Sequence, residues 1–246
     1  MQRRQRKPLT CGKEKRQSAL HGDMHPHTLT SIEGEKWNAN MDMDTSKQTG
    51  ENSISMTLGG TQMGSLWRTA LWQQFGATID MLENALLACP STHWKGRLWS
   101  DHSEHPLPEE FAAFWYITYH TLFWLDLYLT GSLEGFAPPT PFTLDELDPA
   151  GVFPKRPYTR DELHAYLVHL RQKCQTTIAG LSDEKAHQQV AFPWMGGKPM
   201  SFLELILYNM RHVQEHAAQL NMFLGQNAID GASDWVPWAK ADEGGE

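Results

Sequence analysis

A chain of 246 residues with a 40% hydrophobic share and ten tryptophans can bury one sizeable domain with appendages, or two small domains at most. Its formal charge of -8 is unevenly spread: residues 1–20 hold seven Lys or Arg against one Glu, so they carry +6 and the remainder -14, which disfavours nucleic acid or an anionic membrane as main partner of the folded part. Three cysteines without a CxxC pair argue against a disulfide framework and for the cytoplasm, and no apolar run has the length of a signal peptide core or of a membrane span of roughly 20 residues.

Residues 1–56 are rich in Lys, Arg, Gln, Ser, Thr, Gly and Asn with Trp37 as the sole aromatic residue, so they predict a disordered tail. Met41, Met56 and Met63 are alternative start points, and the polar cluster of His21, His25 and His27 receives no role. A first helix is expected over about residues 62–88, with Trp67, Leu71, Phe75, Ile79, Leu82 and Leu86 at helical period and Cys89-Pro90 ending it. The polar connector that follows carries His93, His102 and His105, read as solvated. A second helix is expected from Pro108, with Glu109 and Glu110 at its positive end and Gly131 at its stop. This helix is apolar almost all round, which makes it the most buried, and it contains a single histidine, His120.

A Pro-studded connection over residues 132–158 is long enough, at roughly 3.3 Å per residue, to return along a helical bundle as a crossover. Thr159 and Glu162 form a capping box for a third helix over about 160–179, with Leu163, Tyr166, Leu167, Leu170, Cys174 and Ile178 facing inward. His164 and His169 fall on different faces, and Cys174 is a small buried filler. The loop 181–200 makes a tight turn at its GlyGly pair. A second capping box, Ser201 with Glu204, opens a fourth helix that Gly225 ends. Its stripe of Ile206, Met210, Val213, Ala217, Leu220 and Leu224 faces a core. The tail 226–246 offers Trp235 and Trp238 to pack back on the helices.

The functional argument starts from His212 and His216. Four residues apart on one helix, they project from the same side, one turn above the other, where a divalent cation would satisfy two ring nitrogens at once. Such a pair can equally be hydrogen-bonded to neighbours or lie at the wet edge of a bundle. Val213 stands where a zincin metalloprotease has its Glu, so that reading is not supported. His120, in a helix with few polar partners of its own, offers a third nitrogen. A set of three imidazoles leaves one position to solvent, the catalytic rather than the structural arrangement for zinc, and leaves the 2+ charge free to lower the pKa of water or thiol. Asn209, Gln219, Tyr116 and Tyr208, each near a ligand in helical register, are candidates to orient substrate or support the ligands, or else polar residues at the bundle edge. Glu215 points about 100° away from His216 and is not the base.

A lone His in an apolar second helix, a long connector, and NMRHVQEHAAQLNMFLG in the fourth helix together resemble the DinB-like superfamily, which includes bacterial thiol-dependent transferases. The resemblance covers about residues 57–225. It implies an all-α, up-down-down-up four-helix bundle with a crossover between helices two and three. It implies one divalent metal, zinc first and nickel or iron as alternatives, held by His120, His212 and His216. Related iron-dependent sulfoxide synthases carry an acid two residues after the last His; Ala218 stands there, so that activity is not expected. The implied function is activation of a low-molecular-weight thiol or water toward a small electrophile, as transfer or hydrolysis, with a non-catalytic metal- or ligand-binding bundle as the alternative. The expected partners are that thiol or electrophile, with no specific nucleic acid, no membrane, and a homodimer left open.

Overall fold

The computed structural model describes residues 56–102, 108–229 and 235–241, with backbone alone for 56–65. The chain divides into Met1–Leu58 and Gly59–Glu246, and every side chain discussed below belongs to the second unit. The expectations for residues 1–55, including His21, His25 and His27, and for His105, lie outside the described residues.

The fold is mostly helical. Four long helices, α1 (Met56–Ala88), α2 (Phe114–Thr130), α3 (Arg160–Ala179) and α5 (Phe202–Gln226), are joined by a short α4 (Asp183–His187) and a two-residue antiparallel pair, Gln189–Val190 with Met200–Ser201. Both capping boxes form: Thr159 and Ser201 accept hydrogen bonds from the amides of Glu162 and Glu204, whose carboxylates take the cap amides in return.

α2 is the central rod. Every residue from Phe114 to Leu129 is buried, and the helix packs against both α3 and α5. It starts at Phe114 rather than at Pro108. Ala113 is extended and bridges to Arg97, so Leu98 N–H donates to the Ala112 carbonyl (2.8 Å) and Phe114 N–H to that of Gly96 (2.9 Å), and the preceding Glu109–Ala112 forms only a 3₁₀ turn. Backbone groups of the connector compete with helix continuation and win. Gly131 then ends α2 in the left-handed region (φ 76), and a Cβ there would stand 2.8 Å from the Phe202 ring.

Two buried carboxylates fix how the rods stand. Asp126 on α2 receives Lys173 Nζ (2.5 Å) and the Tyr166 hydroxyl (2.6 Å) from α3. Asp80 on α1 receives Arg171 Nε of α3 (3.0 Å) and the backbone N–H of Lys240 (2.6 Å). The expectation that Trp235 and Trp238 pack back on the helices is corrected: they are 71% and 66% exposed. The segment is held by its backbone instead, with Ala239 N–H on the Gln73 carbonyl (2.9 Å) and Arg171 on the Lys240 carbonyl (2.7 Å). A Cβ on Gly76 would lie 2.5 Å from that of Ala239, so the groove accepts a small side chain and no indole. No helix among the described residues is long and apolar enough to cross a membrane.

Candidate metal centre

His120 lies midway along α2, and His212 and His216 lie one turn apart on α5, so the packing of α2 on α5 decides whether the three rings meet. They do. His120 Nε2 is 3.4 Å from His212 Nε2, and His216 Nε2 is 3.1 Å from the same atom. One ligand atom from each of the three lies within 4.8 Å of the others, and all three residues are buried. Two nitrogens held about 2.05 Å from a tetrahedral ion stand about 3.3 Å apart, so the spacing suits zinc or a similar cation.

The outer nitrogens of His120 and His216 are occupied in a way that leaves their inner ones as acceptors. His120 Nδ1 is 2.8 Å from Glu146 Oε2, and His216 Nδ1 is 2.8 Å from Gln219 Oε1. Both oxygens only accept, so each Nδ1 carries the proton and each Nε2 presents a lone pair inward. These two lone pairs converge on His212 Nε2, and a cation among the three nitrogens would be coordinated by all of them. On this ground the residues fit a divalent metal.

Glu146 comes from a 3₁₀ turn, Asp145–Leu147, inside the long connection between α2 and α3. Its side chain is 3% exposed. Burial pushes its carboxyl upward, but the His120 ring, with hydrogen bonds from His120, Tyr116 and Trp124, outweighs that and holds it below the ordinary carboxylate range. Burial, then the Glu146 charge, raises the Tyr116 phenol well above its usual value, so it stays protonated beside the carboxylate. Sequence reasoning missed Glu146, because Asp145, Glu146 and Asp148 stand close together in a segment with no period to say which one turns inward.

The expected supporting residues divide. Gln219 and Tyr116 reach the centre as described, Gln219 through His216 and Tyr116 through Glu146. Asn209 is fully buried and its Nδ2 donates to the Leu125 carbonyl (3.1 Å), a bond between α5 and α2 rather than to an imidazole. Tyr208 stands against Tyr128 (5.5 Å between ring centres), and Tyr128 in turn lies edge-on to His212 (6.3 Å). Around that side runs an aromatic wall: Trp194 packs on Trp124 at 4.9 Å, and its indole N–H donates to the Tyr128 hydroxyl (3.2 Å). His93 lies edge-on to Phe223 and bonds Thr92, and His102 is exposed; neither joins the three-histidine group.

A helical protein with a buried three-histidine centre between two of its rods is thereby defined. The sequence model of the DinB superfamily matches residues 74–220, and the chain belongs to that superfamily. Neither the curated proteins nor the solved structures give a match.

Proposed function

We propose that this protein is a divalent-metal-dependent enzyme that directs a low-molecular-weight thiol or water at a small electrophilic substrate. The observation that carries the reading is the convergence of three buried imidazoles, two of which have their inner nitrogens held as acceptors, with one position of a tetrahedron unclaimed among the described residues. A bound cation supplies positive charge that lowers the pKa of a thiol or water and favours its anion as nucleophile.

The chain's own residues do the rest. Glu146 and Gln219 hold the rings of His120 and His216 by their outer nitrogens, so little reorganisation is needed when the centre fills. His212 and His216 are 7% and 4% exposed against 1% for His120, so the centre is shielded on all sides. Trp124, Tyr128 and Trp194 wall that neighbourhood with apolar surface that excludes bulk water. The described cysteines supply no nucleophile. Burial pushes the Cys89 thiol up to about 12 and raises that of Cys174 as well, so neither serves as the reacting sulfur. The connectivity belongs to the same reading: an up-down-down-up bundle with residues 132–158 crossing between α2 and α3, zinc as the first candidate metal, and the cytoplasm as the setting for a chain with free thiols.

Elemental analysis of the purified protein should find close to one equivalent of a divalent metal. His216→Ala should lose that metal together with conjugating or hydrolytic turnover while the far-ultraviolet helical signal stays intact. Metal content without turnover over a panel of thiols and electrophiles would leave a binding bundle in place of an enzyme.

A further inference from the structure

Three polar groups close a triangle behind His120. His120 Nδ1 is 2.8 Å from Glu146 Oε2, Trp124 Nε1 is 3.0 Å from that same oxygen, and Trp124 Nε1 is also 3.1 Å from His120 Nδ1. An indole N–H can only donate, a carboxylate oxygen can only accept, and an imidazole Nδ1 can do either. The ring has two neutral arrangements, and only the first satisfies both contacts to Glu146. In one, Nδ1–H and the indole both donate to Glu146, and His120 Nε2 is a bare lone pair. In the other, the indole donates to Nδ1, the proton sits on Nε2, and that nitrogen is a donor that no cation can use. Trp124 lies one turn beyond His120 on the same face of α2, so the indole is a permanent competitor for Nδ1.

We propose that Glu146 is a positioning residue of the metal centre: its carboxylate draws both the Trp124 indole and the Nδ1 proton of His120, and so fixes the one tautomer of His120 that can face a cation. The inference rests on the metal reading above and extends it to the connection between α2 and α3, which thereby contributes to a centre whose ligands lie on α2 and α5. Burial adds support to the triangle. A 3%-exposed carboxylate on a loop is costly to bury, and the hydrogen bonds that offset this come from His120 and Trp124.

The test uses the full chain with nitrogen-15 histidine in the metal-free state, together with zinc affinity measured against a chromophoric chelator. Wild type should show His120 protonated at Nδ1. Glu146→Ala should move the proton to Nε2 and weaken zinc binding about 10- to 100-fold. Adding Trp124→Phe removes the competing donor, and the double variant should recover most of the lost affinity, which a merely structural role for Glu146 would not produce. Should Glu146→Ala fail to fold, Glu146→Gln keeps the volume and an accepting oxygen while losing the charge, and its zinc affinity should fall between the two. The idea is overturned if Glu146→Ala leaves the proton on Nδ1, if Trp124→Phe restores nothing, or if Glu146→Gln equals wild type in both measurements. A wild-type chain that takes up no zinc or other divalent metal, yet shows the tautomer shift in Glu146→Ala, would sink the metal reading and leave only the control of the His120 tautomer by Glu146 standing.

Discussion

At the scale of single residues, what could be read from sequence was whatever has a short repeat. His212 and His216 announce themselves by a four-residue step, and His120 by being the one titratable imidazole in a helix otherwise nearly all apolar. Gln219 follows from the same helix register, one turn past His216, and reaches its Nδ1. Glu146 does not, since its inward turn is set by how the connection lies over α2, a long-range outcome that no local pattern encodes. The same applies to the thiols, whose inertness depends on neighbours far along the chain. In a Cys11→Ser background, Cys89 and Cys174 should react with an aromatic disulfide reagent at neutral pH only as fast as the protein opens, and at once in denaturant. Rapid native labelling of either would show that burial does not silence it.

At the scale of the helix, caps and apolar stripes carried the reading. Leu163, Tyr166, Leu167, Leu170, Cys174 and Ile178 are all buried on α3 as their spacing requires, and both capping boxes close. The start of α2 was not legible, because the bridge between Ala113 and Arg97 joins segments that local propensity treats separately. The α3 cap also sets an acid dependence. Hydrogen bonds from Arg156, then from the Thr159 amide, hold the Glu162 carboxyl at about 2, against about 4.3 in an unfolded chain. A depressed carboxyl stabilises the native state above its unfolded pKa and ceases to do so as pH falls through its folded one. The melting temperature of wild type should therefore exceed that of Glu162→Gln by a constant margin above about pH 5, and the margin should shrink toward nothing near pH 2. A margin that persists at pH 2 would assign the effect to packing instead.

At the scale of the whole molecule, the C-terminal segment acts as a strap. Lys240 N–H and Arg171 share the Asp80 carboxylate, which is fully buried, so removing residues 235–246 takes one donor from a buried charge. That truncation should cost about 1–3 kcal/mol in denaturant unfolding, with far-ultraviolet helicity unchanged, and no loss would mean that water replaces the amide. The three-histidine centre has a comparable reach. His120 and His212 are 92 positions apart, so a single ion on the metal reading closes a loop larger than a third of the chain and binds only the native arrangement. At a free concentration a hundredfold above its dissociation constant it would add about 2.7 kcal/mol to folding. Cellular supply of the ion would then set how much of this protein survives proteolysis, and starvation for it would thin the population itself before any question of turnover arose.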